Sequence, residues 1–461
     1  MLKTLTLLVI VALLLAACAP QAAPATPMAR PTTTGQTISE QDAIALAETL
    51  SDALIQGDFA GATKNFDDEL KAALPEAQLK AVWQSLAVQV GAYRGKVGTP
   101  RVEAIEAYQR VTITLEFEQA MLDMRVVVNS STGHIGGLFF APNQAALGEQ
   151  YLPPDYADTS AFEERDVRVG PGAESLPGTL TIPKGSGPFP AVVLVHGSGP
   201  NDRDESLGPN KPFKDIAWGL ASRGIAVLRY DKRTKTYGDK IATLKSFTVK
   251  DEVVDDALAA VELLHSTDGI DPNAIFVLGH SLGGMLAPRI AQADTRIAGI
   301  LVLAGAARPL EDLMIEQTRY VLQLDGDLSA EDQKQIEVLE KQVADVKALK
   351  LASPLPNEAI LGAPPQYWLD LQDYDAVQAA RALSRPMLIL QGERDYQVTL
   401  DDYQRWRDAL SSRPNVTLKT YPDLNHLFMP GVGKSTPHEY QLQGHVSVTV
   451  IEDMSMWIGQ Q

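Results

Sequence analysis

Between residues 162 and 461, short apolar runs alternate with helical patterns. The runs are Ala191–Val195, Ile225–Arg229, Ile275–Leu278, Ile300–Leu303, Met387–Leu390 and Val416–Thr420. Helical candidates between them include Lys214–Ser222, Val249–His265 and Leu282–Gln292. Alternation of this kind predicts an α/β fold, a doubly wound and mostly parallel sheet. One interval stands out. Between Leu303 and Met387 the chain carries the charged helical stretch Glu331–Lys350, and residues 308–375 read as a helical cap inserted over the mouth of the sheet.

Residues 39–141 follow another rhythm. Ile44, Ala47, Leu50 and Leu54 are spaced three and four apart, as on an amphipathic helix over Ser39–Gln56. Glu76–Val90 repeats the pattern with Leu79, Val82, Trp83 and Leu86. The period then changes. Val111, Ile113, Leu115 and Phe117 alternate with polar residues, as in a half-buried strand. Met121–Val128 and His134–Phe140 read as further strands joined by the turn Asn129–Gly133. Helices followed by a strand meander predict a small α+β domain.

The chain start is of a third kind. Lys3 supplies one positive charge, Leu5–Leu15 is predominantly apolar, and small residues lead into Cys18. A bilayer span needs ~20 apolar residues, so residues 1–17 read as a signal segment. The small residues before Cys18 resemble the lipobox of bacterial lipoproteins, which implies cleavage before Cys18, its acylation, and a lipid-anchored, extracytoplasmic place in the cell envelope. Cys18 is the chain's one cysteine, so it makes no internal disulfide. Residues 18–38, rich in Ala, Pro and Thr, read as a tether. The net charge of −18 disfavours phosphate backbones, so nucleic acid is not an expected partner.

The candidate chemistry centres on Val277–Gly284, VLGHSLGG. A G-x-S-x-G pattern arises by chance on the order of a tenth of a time in such a chain, so its setting decides. Ser281 falls where the strand Ile275–Leu278 turns into the helix Leu282–Gln292, the setting of a nucleophile elbow. A serine hydroxyl is a poor nucleophile without a base. Asp395 stands just past the strand Met387–Leu390, and His426 lies in the loop after Val416–Thr420. The chain order Ser, Asp, His is that of a nucleophile, its orienting acid and its base. His438, His445, Asp370, Asp373 and Asp375 compete for the acid and base roles, but none directly follows a strand. For an oxyanion, the expected donors are the amides of Leu282 and Ser198, the latter in the loop His196–Pro200. His196 reads as a brace for that loop rather than a base. Asp202, Arg203, Asp204 and Glu205 read as an ion-paired pocket wall rather than a metal site. GVGKS (Gly431–Ser435) lacks the first glycine of a phosphate loop, and HEYQL (His438–Leu442) lacks the second histidine of a zinc-protease helix.

With GHSLGG, HGSGPNDRDE (His196–Glu205) and LRYDKR (Leu228–Arg233), residues 162–461 resemble the α/β-hydrolase superfamily. More narrowly they resemble bacterial carboxylesterases of the serine aminopeptidase-like and dienelactone-hydrolase-like group. The dienelactone branch proper uses a Cys nucleophile where this chain has Ser281. Residues 39–141 are similar in pattern to an NTF2- or cystatin-like domain of unknown function found before some secreted bacterial hydrolases. These resemblances imply hydrolysis of a small-molecule ester by Ser281, His426 and Asp395, without metal or cofactor. Two other readings stay open: a peptidase of the same fold using the Asp202–Glu205 loop as an amine anchor, and a surface binding protein whose function lies in residues 39–141. The acyl length and oligomeric state are not specified by the sequence.

Overall fold

The alternation at Val111, Ile113, Leu115 and Phe117 buries all four side chains in the protein's first unit. The structure, a computed structural model, describes residues 38–461 except 91, 106, 118–120, 144–150, 242–243, 245, 325, 352–353 and 357. The signal segment, Cys18 and the tether as far as residue 37 lie outside these residues. The chain divides into two compact units between Gln150 and Tyr151.

The first unit holds α1 (Glu40–Gln56), α2 (Glu76–Val90) and a four-stranded antiparallel meander. Ser39 and Asp42 form a reciprocal cap that starts α1, and Gly57 ends it at φ 76°. Ala43, Ala47, Leu50 and Leu54 then fall on one buried face. They share a core with Val111, Leu115, Met124 and Val126 of the sheet. The strands are β1 (Tyr93–Ile105), β2 (Tyr108–Phe117), β3 (Met121–Asn129) and β4 (Ile135–Pro142), paired in that order. β1 was not anticipated. It carries Gly95, Gly98 and Pro100, is exposed along most of its length, and pairs with β2 through two register shifts.

The second unit is an eight-stranded sheet. In chain order its strands are β5 (Phe162–Val169), β6 (Leu176–Pro183), β7 (Phe189–Val195), β8 (Ala226–Tyr230), β9 (Ile270–His280), β10 (Ile297–Leu303), β11 (Met387–Gly392) and β12 (Val416–Tyr421). They lie in the order β12-β11-β10-β9-β7-β8-β6-β5. β7 to β12 are parallel, while β6 and β5 run antiparallel at one edge. The central strands are buried on both faces, which is why they read as continuous apolar runs. Val193 and Val195 point into one core, against α4 (Asp255–His265), α5 (Leu282–Ala293) and the residues of Leu400–Leu410. Val192 and Leu194 point into the other, against α3 (Pro212–Ala221) and Val448–Ile458.

The long interval after β10 forms helices: α6 (Leu310–Leu322), α7 (Ala330–Lys347) and α8 (Pro365–Gln372). Ion pairs Arg319–Glu340 and Lys347–Asp312 join α6 to α7. Among the described residues no helix is long and apolar enough to cross a membrane.

Candidate active site

The parallel strands end on a common rim, and the candidate residues all follow such ends. β9 and β10 are in register at His280 and Leu303, and the Ser281 amide continues the ladder by donating to the Leu303 carbonyl at 2.9 Å. Ser281 then turns sharply, with φ 54° and ψ −116°. A non-glycine residue held there costs about 1–3 kcal/mol, and the surroundings enforce it. A side chain at Gly279 would collide with the Gly283 backbone, and one at Gly283 with the Val195 carbonyl. The turn is thereby kept tight, and Ser281 stands at the N-terminus of α5.

Asp395 follows β11 and His426 follows β12. The structure brings them together: His426 Nδ1 lies 2.7 Å from Asp395 Oδ2, with both side chains buried. Gln391 Nε2 donates to the same carboxylate oxygen at 3.1 Å. The other oxygen accepts the amides of Gln397 and Val398 at 2.7 and 3.0 Å. With four donors the carboxylate is fully engaged, which is what a buried anion requires. The His426 loop is shaped by Asn425, whose Oδ1 accepts the amides of Leu427 and Met429 at 3.0 and 3.1 Å.

His280, next to Ser281, joins this loop to the elbow. Its ring lies 4.6 Å from that of His426 between centroids, and its Nε2 is 3.0 Å from the His426 carbonyl oxygen. Its Nδ1 is 2.9 Å from Glu205 Oε2. Burial opposes a charge on His280, but the Glu205 carboxylate beside it overcomes this and raises its pKa. Burial likewise opposes the charge on Glu205, and His280 outweighs it to hold Glu205 below the usual carboxylate value. The two side chains lie buried together beneath the elbow. Ser281 Oγ makes no hydrogen bond to His426 among the described residues, and such contacts often close only when substrate binds.

The loop after β7 passes beside Ser281. A Cβ placed on Gly197 would stand 3.1 Å from Ser281 Cβ. Glu205 Oε1 accepts the Gly197 amide at 2.6 Å. Among the described residues no group accepts the amides of Ser198 or Leu282, so both remain available as donors. His196 is buried against Phe213 and Tyr230, and burial pushes its pKa down to about 4. It packs as a neutral brace.

Three of the competing residues, His445, Asp370 and Asp375, are engaged elsewhere. His445 Nδ1 is 3.0 Å from Asp215 Oδ1. Asp370 holds Arg289 at 2.7 Å, and Asp375 caps the helix Ala376–Ala382. In the 202–205 loop, Arg203 pairs with Asp231, Asp204 with Arg229, and Glu205 with His280. Gln391, Asn425 and His280 were not singled out from the sequence as parts of the site, and Glu205 was read only within the ion-paired 202–205 loop. For Asn425 and His280, adjacency to His426 and to Ser281 was the available signal.

The model of the alpha/beta hydrolase family matches residues 192–440, a span that holds every residue of this rim. The chain belongs to the α/β hydrolase family. A second model, described only as a protein of unknown function (DUF3887), matches residues 47–136. This α/β hydrolase is 42% identical over 405 residues to Esterase EstD of Thermotoga maritima, spanning 88% of this chain and 92% of that one. Solved structures similar to this α/β hydrolase include Est1E of Butyrivibrio proteoclasticus, with 16% identity, 64% and 99% of the two chains covered and a TM-score of 0.42. The acylaminoacyl peptidase of Pyrococcus horikoshii shows 15% identity, 79% and 50% coverage and a TM-score of 0.43.

Proposed function

We propose that the protein is a serine carboxylesterase acting on short- to medium-chain acyl esters. The observation that carries the reading is the Asp395–His426 hydrogen bond, 2.7 Å long and buried, on loops flanking the strained turn at Ser281. The similarity to an esterase over most of both chains supports it. Ser281 attacks the ester carbonyl while His426 takes its proton and later returns it to the leaving alkoxide. Asp395 holds the imidazole tautomer and stabilises its charged form. The amides of Ser198 and Leu282 receive the oxyanion. Water activated by His426 releases the acyl group.

A peptidase would need a carboxylate free to hold the substrate amine. Asp204 and Glu205 are committed to Arg229 and His280, and Asp202 accepts the amides of Asp204 and Ser206. The ester reading is therefore preferred. Its test is turnover of p-nitrophenyl acetate and of aminoacyl p-nitroanilides by wild type and Ser281→Ala. Ester turnover that disappears in the variant is the expected result; unchanged turnover would overturn the assignment.

We further infer that Cys18 carries the lipid that holds the protein in the cell envelope. One acyl chain anchors only marginally, and two or more make attachment stable. Metabolic labelling with a fatty-acid analogue should mark the wild type but not Cys18→Ser, which should leave the membrane with its specific activity intact.

A further inference from the structure

Lys232 comes from the stretch LRYDKR, yet its ammonium is not at the surface. The side chain is 2% exposed, and Nζ donates to the Gly197 carbonyl at 2.8 Å. That carbonyl and the Ser198 amide are the two ends of one planar peptide. In a trans peptide the C=O and N–H point in opposite directions, so fixing the oxygen fixes the direction of the Ser198 N–H. A cationic donor also draws electron density from the peptide, which strengthens the donor at its far end. Asn201 Nδ2 reinforces the grip at 3.2 Å from the same oxygen. The preceding peptide is held independently, since Glu205 accepts the Gly197 amide.

Lys232 is itself held from the cap. Glu252 Oε1 lies 3.2 Å from Lys232 Nζ, and both side chains are buried. Glu252 sits in a π-helical turn, Lys250–Val254, just before α4. Its other oxygen accepts the hydroxyl of Tyr367, in cap helix α8, at 2.8 Å. Thr234 Oγ1 donates to Oε1 at 3.0 Å. A continuous buried chain therefore runs from Tyr367 through Glu252 and Lys232 to the Gly197 carbonyl. The energetic cost of burying a Lys–Glu pair is substantial, and this pair is placed where it orients one particular peptide.

We propose that Lys232 is a positioning residue for the oxyanion donor: by gripping the Gly197 carbonyl it aims and polarises the Ser198 amide, and Glu252 and Tyr367 hold it in place from the cap. This rests on the esterase reading above. Loss of a whole oxyanion donor costs ~10²–10³ in kcat. Lys232 orients such a donor without replacing it, so its loss should cost about 10- to 100-fold.

The test uses the full chain. Lys232→Met alone leaves Glu252 buried without its cation, so the double variant Lys232→Met/Glu252→Gln removes both charges together. Lys232→Gln, which leaves Glu252 a neutral donor, is read in parallel in case the double variant does not fold. For a folded variant the expected result is a fall in kcat on p-nitrophenyl acetate with KM little changed. The inhibition constant of a trifluoromethyl ketone, whose serine adduct bears an oxyanion, should rise by the same factor. The pH profile of kcat/KM should stay that of the wild type, because His426 is untouched. Lys232→Arg, which keeps a cationic donor, should recover part of the loss. A folded variant with wild-type kcat overturns the proposal, as does a loss in kcat without weaker ketone binding. Failure of the esterase reading shows separately, as ester turnover that survives Ser281→Ala.

Discussion

Asp395–His426 and Asp215–His445 are the same chemical pair in two places. In each, the imidazole Nδ1 meets an aspartate oxygen, at 2.7 Å in one and 3.0 Å in the other. In each, the aspartate side chain is fully buried and holds several donors. Asp395 accepts from Gln391, Gln397, Val398 and His426. Asp215 accepts from Tyr151, His445 and the Val446 amide. The difference lies beyond the imidazole. His426 follows a parallel strand and packs on His280, next to Ser281. His445 lies against Tyr151, between the helices Pro212–Ala221 and Val448–Ile458, and ties their ends together. An acid–imidazole pair thus has no chemistry of its own; what the second ring nitrogen faces determines whether it is a base or a clasp.

The strongest way to break that distinction is to remove each histidine. His426→Ala should lower kcat on p-nitrophenyl acetate by about 10⁴-fold or more, because the groups of a triad act as a unit. His445→Ala should leave kcat within about threefold, a change of less than ~1 kcal/mol in the barrier. Similar losses in the two variants would erase the distinction.

The aspartates separate next. Asp395→Asn should reduce kcat by roughly 10³–10⁴ through the wrong imidazole tautomer, with the fold retained. Asp215→Asn should leave turnover per folded molecule unchanged and lower the melting temperature instead. A buried donor stripped of its acceptor costs about 1–3 kcal/mol, and Asp215 serves more than one. Thermal melts with active-site titration measure both quantities. An Asp215→Asn protein that melts like wild type would show that the clasp is dispensable.

The placement of Ser281, Asp395 and His426 on one rim was legible because it depends on strand ends. Asp395 follows a run that only a doubly buried strand explains, Ser281 sits between such a run and a helix, and His426 follows the edge strand β12. Less legible were the elements whose sequence does not alternate. β5 reads FEERDVRV and exposes most of its residues at the sheet edge, and β6 contains Pro177–Gly178, which reads as a turn. The supports of the site were hidden for another reason. Gln391, Glu205, His280 and Lys232 acquire meaning only when loops distant in sequence converge, and no local pattern records which carbonyl a lysine will reach.

A smaller effect is expected where the cap meets the acid loop. Tyr320 of α6 stacks on Tyr396, the residue after Asp395, with centroids 4.9 Å apart. Gln317 donates to the Gln397 carbonyl at 2.8 Å. Val321, Leu427, Met429 and Tyr440 complete an apolar cluster between the cap and both loops. Tyr320→Ala should shift the ratio of kcat/KM between hexanoyl and acetyl esters by about tenfold, since each methylene in a pocket is worth ~1–3 kcal/mol. Acetate turnover should persist. An unchanged chain-length profile would confine this contact to bracing the loop.

The smallest expected effect is the pH dependence of the clasp. The hydrogen bond that His445 donates to Asp215 raises the His445 pKa, partial burial lowers it, and the Asp215 charge adds to the rise, so the net shift is upward. In the unfolded chain the imidazole titrates near ~6.5. A group whose folded pKa is raised binds its proton more tightly in the native state, so it stabilises the fold fully below the unfolded value. That contribution fades as pH rises through the raised folded value. The melting difference between wild type and His445→Asn should therefore be largest near pH ~5.5 and shrink toward pH ~9. His280, whose pKa is also raised, is present in both proteins and drops out of the difference. A difference that stays constant across this range would mean that neutral His445 holds Asp215 equally well. The clasp would then be a plain hydrogen bond.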